Sequence, residues 1–223
     1  MATQESVLTR IRVALADRKQ SPLDIPATPK VWDIHEYSPS EMTEQFQKNL
    51  ETVKGEFVLC NDFSHAVRQI NELLNTMNAT QLAVLDCPLS RKIAEELNTI
   101  QRRNFVFAPL DSADVVPETL STLDAGLVSP EYLLADTGSC LFSAPTAFDR
   151  LTTYLTPVLI VVAEKSMLRE NLPAVWSEMK PKLETAVNGE FVIVTGPSRT
   201  ADIEKILILG VHGPKRLIVF LLP

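Results

Sequence analysis

Short apolar segments alternate with longer amphipathic ones between about residue 40 and residue 110. The apolar segments are Glu56–Cys60, Gln81–Leu85 and Phe105–Leu110, and each segment between them is long enough for a helix. A strand, a helix and a second strand in this order are typical of a parallel βαβ unit. The pattern therefore predicts an α/β fold built on a parallel sheet.

The helices predicted around these strands have polar starts and apolar stripes. Ser40 is the candidate N-cap of the first helix, in which Phe46, Leu50 and Val53 share one face, and a third helix ends near Leu97. The second helix begins after a cap at Asn61 or Asp62, and its apolar stripe consists of Ala66, Ile70, Leu73, Leu74 and Met77.

The second half of the chain predicts a different arrangement of strands. Tyr132–Ala135 and Cys140–Ser143 are separated by a tight turn, so they are expected to be antiparallel neighbours or one kinked strand. Together the segments predict a mixed, mostly parallel sheet flanked by helices. The further predicted elements are strands at Pro157–Ala163, Phe191–Thr195 and Arg216–Leu222, a helix over 167–186 with Leu172, Val175, Trp176, Met179 and Leu183 apolar, and a short helix from about Thr200.

The first 30 residues are predicted to be an arm rather than a domain. Residues 4–18 have helical periodicity, and Ser21–Pro29 contains three prolines, which favours a stiff extended linker. We expect a single α/β domain over residues 40–223.

Charge and cysteine content narrow the classes of function. Lys and Arg total 21 against 28 Asp and Glu, giving a net charge of −7, which argues against binding to a nucleic-acid backbone. No apolar run approaches the roughly 20 residues of a membrane span, and the first residues do not predict a signal peptide. The 3 cysteines fit a reducing cytoplasm and are fewer than the four that ligate an ordinary iron–sulfur cluster.

Glycine is scarce, with 7 residues in 223, so its positions are informative. One glycine lies in Ala135-Asp-Thr-Gly-Ser-Cys140, where Gly138 favours a tight turn beside Asp136, Thr137 and Ser139. The backbone N–H groups and hydroxyls of this turn could hold an anion or a carbonyl oxygen. The alternative is a plain turn in which the polar side chains bond to the backbone.

A second glycine-containing segment is Val194-Thr-Gly-Pro-Ser-Arg-Thr-Ala-Asp-Ile-Glu204. Gly196-Pro197 would turn the chain after a strand, and Ser198 or Thr200 would begin a helix whose free N–H groups attract anions. Arg199 at that start would add a guanidinium suited to a carboxylate or phosphate. The alternative is an ordinary capped helix with Arg199 paired to a surface acid.

The third segment, Leu209-Gly-Val-His-Gly-Pro214, holds two glycines and one of the 3 histidines. His212 could be a general acid or base, or its ring could simply join two loops. No histidine, cysteine or carboxylate spacing typical of a metal site occurs, so no metal is expected.

These three segments, in this order, resemble the lactate-utilisation (LUD) domain family, in detail over about residues 120–222. The usual first motif of that family is Glu-Thr-Gly-Thr, where this chain has the shorter carboxylate of Asp136 and has Ser139. The resemblance implies a fold like that of sugar-phosphate isomerases and CoA transferases. With that fold, the three segments are expected to converge at one end of the sheet, where α/β folds bind ligands. The resemblance also implies a cytoplasmic role in oxidising L-lactate to pyruvate, with the redox centres in iron–sulfur partner proteins and no cofactor in this chain.

Three functions are therefore open. The chain could be a non-redox component that binds a small anion through Thr137, Gly138, Ser139, Gly196, Ser198, Arg199, Thr200 and Gly213. It could instead be an enzyme acting on a phosphorylated or CoA-linked substrate, with Asp136 or His212 as the base. It could also be a scaffold for partner subunits.

Overall fold

The computed structural model describes residues 4–16, 37–107, 120, 122–185, 190–201, 207–209 and 213–223. The chain divides into two compact units, Met1–His35 and Glu36–Pro223. The first contains helix α1 (Gln4–Ala16), as its periodicity predicts, with Val7, Leu8 and Ile11 exposed. The predicted proline-rich linker lies outside the described residues.

The second unit contains five α-helices, one short 3₁₀-helix (Lys165–Met167) and twelve strands among its described residues. Its helices are α2 (Pro39–Thr52), α3 (Phe63–Thr76), α4 (Pro88–Ile100), α5 (Ala147–Leu155) and α6 (Leu172–Thr185). Its strands are β1 (Glu56–Leu59), β2 (Gln81–Val84), β3 (Asn104–Phe107), β4 (Ala125–Val128), β5 (Tyr132–Leu134), β6 (Ser139–Ala144), β7 (Val158–Glu164), β8 (Leu168–Arg169), β9 (Glu190–Val194), β10 (Arg199–Ala201), β11 (Leu207–Leu209) and β12 (Arg216–Leu222).

The predicted α/β fold with a mostly parallel sheet flanked by helices is confirmed. A six-stranded sheet has the order β1-β12-β7-β4-β2-β3, and all of its neighbouring strands are parallel. The antiparallel strands lie in a separate four-stranded sheet with the order β8-β5-β6-β9. The tight turn predicted after β5 does join two antiparallel strands, β5 and β6.

Alternate residues of the central strands are buried on opposite faces of the six-stranded sheet. Val158, Ile160 and Val162 of β7 pack with α3 and α4. Leu159 and Val161 pack with α2 and with the four-stranded sheet. Because both faces are covered, these strands are apolar throughout, which is why the sequence shows them as continuous runs.

Two helix starts differ from the prediction. The N-cap of α2 is Ser38 rather than Ser40, because Pro39 fits the first helical position and the Glu41 carboxylate accepts from the Ser38 N–H at 2.9 Å. The long helix predicted over 167–186 starts at Leu172, because Leu168 and Arg169 pair with β5 instead. Trp176, grouped with the apolar residues of this helix, is 51% exposed, and the Leu183 side chain lies outside the described residues.

The short helix predicted from about Thr200 is wrong for the described residues. Residues 199–201 form β10, which pairs with β11 in an antiparallel ladder that joins Thr200 to Ile208. The apolar run Leu207–Leu209 supplies a partner strand, so these backbone groups bond across the ladder rather than along a helix. Two further elements, β4 and α5, were not predicted, although the capping box of Thr146 and Asp149 marks the start of α5.

Candidate functional site

Hydrogen bonds from backbone N–H groups to backbone carbonyls hold the turn that carries Asp136, Thr137 and Gly138. The Gly138 N–H donates to the Leu134 carbonyl at 2.9 Å, and the Asp136 N–H donates to the Glu170 carbonyl at 2.9 Å. Asp136 and Thr137 are exposed, and the Thr137 hydroxyl donates to Asp136 Oδ1 at 3.1 Å. Two N–H groups offered for an anion are thus already used, by backbone carbonyls rather than by the polar side chains that the plain-turn alternative named.

The same turn lies against the C-terminal end of α2. Asn49 Nδ2 donates to the carbonyls of Ala135 at 2.7 Å and Asp136 at 2.8 Å. Gly138 has a φ of +65°, and a Cβ on it would lie 2.7 Å from Leu50 Cα. Only glycine therefore combines this backbone conformation with so close an approach to a helix.

Gly196 packs against the end of the same helix. Its φ is +73°, and a Cβ there would lie 2.7 Å from the Val53 carbonyl oxygen. The two glycine turns, which are 58 residues apart in the chain by subtraction of their numbers, are thus placed by one helix end. Glycine, which is scarce in this chain, allows the two turns to pack tightly against the helix. This packing also sets the positions of the polar residues next to each glycine.

Hydroxyl groups and a close backbone contact join the three predicted segments. The Ser139 hydroxyl donates to Thr137 Oγ1 at 2.7 Å and lies 2.7 Å from Thr195 Oγ1. The Ser198 N–H donates to the Pro214 carbonyl at 2.8 Å. A Cβ on Gly213 would lie 2.7 Å from Ser198 Cβ. The structure therefore brings the described parts of all three segments together.

The expected anion site at a helix start is corrected by this geometry. The N–H of Ser198 is bonded to Pro214, and Arg199 and Thr200 belong to β10 rather than to the first turn of a helix. A strand has no comparable end dipole, so hydroxyl groups and side chains would have to recognise any anion. The side chains of Arg199 and Thr200 and all of His212 lie outside the described residues.

A cavity of about 420 Å³ lies where the second and third segments meet. We call it the amino-end cavity; Val53, Tyr154, Thr195, Ser198 and Pro214 are among the residues that line it. The Lys215 N–H donates to the Pro157 carbonyl at 2.8 Å, so this region adjoins the amino ends of β7 and β12. The segments converge, but not at the carboxyl ends of the parallel strands, where we expected them.

A larger cavity, of about 760 Å³, lies at the carboxyl ends. We call it the carboxyl-end cavity; its lining includes Phe63, Cys87, Lys92, Glu164 and Leu222. Sequence reasoning missed this cavity because its residues follow five different strands and form no motif. The short link between β2 and the helix that begins at Pro88 was a local signal for it.

Metal and membrane features can be stated for the described part of the chain. No group of three or more histidine, cysteine or acidic side chains is placed there to hold a metal ion. None of the helices in those ranges is long and apolar enough to cross a bilayer.

Fold and motifs define an α/β protein of the class that carries a LUD domain. Residues 43–222 match the LUD domain, so the chain belongs to the LUD domain family. It is 17% identical to a DUF162 family protein from Deinococcus radiodurans, whose crystal structure superposes with a TM-score of 0.60 over 84% of this chain and 100% of that one. This likeness supports the fold.

Curated relatives match a smaller part of the chain. Lactate utilization protein C of Bacillus pumilus is 32% identical over 98 residues, which is 43% of this chain and 41% of that protein. The uncharacterized protein YkgG of Escherichia coli is 28% identical over 140 residues, or 60% and 56% of the two chains. The chain thus spans about half the length of the curated relatives it matches.

Proposed function

We propose that this protein is a component of a system that oxidises L-lactate to pyruvate. Membership of the LUD domain family and likeness to proteins named lactate utilization protein C support this role. We further propose that its partners are iron–sulfur proteins that carry the redox centres. This chain has 3 cysteines, fewer than an ordinary cluster needs, which supports a non-redox role without a cofactor of its own.

We propose the amino-end cavity as its binding site for a small anionic ligand. The observation that carries this proposal is that the second and third motifs line one cavity, while the first motif contacts its lining through the Ser139–Thr195 hydroxyl pair. None of the residues described as lining the cavity is acidic, and Tyr154 and Ser198 carry hydroxyl groups that would donate to an anion there. Arg199, which follows Ser198 directly, would supply the positive charge.

Growth on lactate tests the cellular role. A bacterium that lacks its own lactate utilization protein C would receive this protein, and we expect growth on L-lactate as the sole carbon source to return. Affinity purification from those cells should recover iron–sulfur proteins. Failure to restore growth, together with recovery of the protein alone after gentle crosslinking, would reject the proposed role.

Calorimetric titration tests the proposed cavity. L-lactate, pyruvate and glucose 6-phosphate would each be titrated into the wild type, Arg199→Ala and a control, Arg68→Ala, which changes an exposed arginine of α3. Loss of a guanidinium–anion contact should weaken binding by about tenfold, which is 1.4 kcal/mol, in Arg199→Ala only. Equal binding by all three proteins would reject this site.

A further inference from the structure

The connections of the six-stranded sheet change sides between β2 and β4. From β1 and β2 the chain continues into α3 and α4, which pack on one face of the sheet. From β4 and β7 it continues into the four-stranded sheet, which packs on the other face. Since β2 and β4 are neighbours, the chain leaves them in opposite directions. A crevice at the carboxyl ends of the strands is expected at such a point, and ligands of α/β proteins bind there.

The carboxyl-end cavity occupies this position. Residues that follow β1, β2 and β4 line it, namely Asp62, Cys87 and Ser129, and β7 and β12 contribute their last residues, Glu164 and Leu222. A neighbouring cavity of about 340 Å³ shares Cys87, Ser129 and Glu131 with it. The volume of about 760 Å³ falls within the range of small-molecule sites.

The lining combines apolar walls with carboxylates. Phe63, Leu89 and Met167 form apolar surface, and each is also packed against a core cluster, so the walls are held in place. The Lys92 ammonium lies 4.3 Å from the centre of the Phe63 ring. The lining also includes three acidic residues, Asp62, Glu131 and Glu164.

Two of these carboxylates, Asp62 and Glu164, retain capacity to accept further hydrogen bonds. Asp62 Oδ1 accepts the His65 N–H at 2.7 Å, and Glu164 Oε2 accepts the Ser166 hydroxyl at 3.3 Å. Each carboxylate has about four acceptor positions, so one bond leaves most of them available. A ligand here is favoured if it brings donors to these oxygens and apolar surface to the walls. A free carboxylate would meet three carboxylates, Asp62, Glu131 and Glu164, against the single ammonium of Lys92.

We propose that the carboxyl-end cavity is a second ligand site, for an organic molecule that presents hydroxyl or amino groups beside an apolar or ring portion. This site is separate from the amino-end cavity and does not depend on the role proposed in lactate oxidation. The carboxylates bind the donor groups, and Phe63, Leu89 and Met167 contact the apolar portion.

Cys87 provides a reporter inside the cavity. Its thiol is partly exposed, and Sγ lies 3.0 Å from Ser90 Oγ. The other two cysteines are buried, and burial raises the pKa of Cys60 to about 11 and also raises the pKa of Cys140. Because alkylation requires an accessible thiolate, iodoacetamide at pH 8 should modify Cys87 and leave Cys60 and Cys140 unmodified in the folded protein.

Three fragment sets of matched size would then be screened by ligand-observed NMR: alcohols, amines and carboxylic acids, each with a ring. We expect fragments that slow alkylation of Cys87 by about fivefold or more, and we expect them to come from the alcohol or amine sets. Protection by the alcohol set would indicate a neutral ligand, and protection by the amine set would indicate a cationic one. Glu164→Gln should weaken these fragments by about tenfold, while Glu95→Gln, an exposed change on α4, should not.

Three results would overturn the proposal. One is that no fragment protects Cys87. Another is that carboxylic acids protect it as well as alcohols and amines do. The third is that Glu164→Gln binds the protecting fragments as tightly as Glu95→Gln. Binding must also persist in Cys87→Ser, since the thiol is a reporter and not a ligand contact.

Discussion

The two ends of the six-stranded sheet are built in different ways. At the amino ends, glycine turns pack against the end of α2, and the cavity is lined by hydroxyl, proline and aliphatic groups. At the carboxyl ends, no glycine lines the cavity among the residues described, and carboxylates and Lys92 do. Gly138 and Gly196 therefore indicate where the chain packs tightly at the amino ends. The position of the carboxyl-end cavity follows instead from the topology of the sheet.

This contrast shows what a sequence motif can report. Close packing needs residues of one type at fixed positions, so it leaves a readable pattern in the chain. A crevice between parallel strands needs only that neighbouring strands lead to opposite faces, so its lining residues are scattered. The two ends must therefore be tested separately.

Substituting Gly138 by alanine should have the largest effect on this comparison. The new Cβ would overlap the backbone of α2, and φ is +65°, so we expect a loss of about 3 kcal/mol in the free energy of unfolding. Urea denaturation followed by circular dichroism measures it. Lys54→Gly is the matched control, because Lys54 has a φ of 70° and glycine there should gain up to about 1 kcal/mol. A loss below about 1 kcal/mol in Gly138→Ala would show that the turn does not need glycine.

Alkaline pH should weaken the four-stranded sheet that carries the amino-end loops. Burial, and then the hydrogen bond from the Tyr132 hydroxyl to Glu178 at 2.6 Å, raise the pKa of Tyr132 to about 12. The folded state favours the neutral phenol, so this contribution is complete below the unfolded pKa of about 10 and is lost as pH rises through about 12.

Unfolding free energies measured from pH 9 to pH 12 test this expectation. Tyr132→Phe should lack this part of the alkaline decline, and it should lose about 1 kcal/mol at pH 7 with the hydrogen bond. Tyr154→Phe, beside the amino-end cavity, should keep the decline. An identical decline in Tyr132→Phe and the wild type would assign it to other groups.

The ion pair at the amino ends of β1 and β12 should have the smallest effect. Arg216 Nε and Nη2 donate to the two oxygens of Glu56, each at 2.8 Å, and both side chains are more than two-fifths exposed. Exposed pairs contribute little, so a double-mutant cycle with alanine should give a coupling of about 0.5 kcal/mol that falls with added salt. A coupling above about 2 kcal/mol would contradict this expectation and show that the pair contributes substantially to the free energy of unfolding.

Much of the fold could be predicted because its signals are local. The stripe of Ala66, Ile70 and Leu74 is buried on α3 as predicted, and the run at Pro157–Ala163 is the buried strand β7. Elements that depend on distant partners were wrong or absent from the prediction. Residues 199–201 became a strand because 207–209 lie beside them, and β8 has only two residues, which are strand because β5 is next to them.

The candidate site was predictable to a similar extent. The convergence of the three segments was expected from the family resemblance that their motifs carry, and it is observed for their described parts. The use of the Gly138 and Ser198 N–H groups could not be predicted, because their partners, Leu134 and Pro214, are chosen by turn and loop geometry. The roles of Asp136, Arg199 and His212 stay predictions.

The sequence by itself determined the α/β class, the family, and which three segments meet. It could do so because hydrophobic period, strand length and glycine position are properties of the chain itself. Only the tertiary structure decided that these segments meet at the amino ends of β7 and β12, and that a larger cavity opens at the carboxyl ends. Strand order and the face taken by each connection decide both, and they arise only when residues distant in sequence pack together.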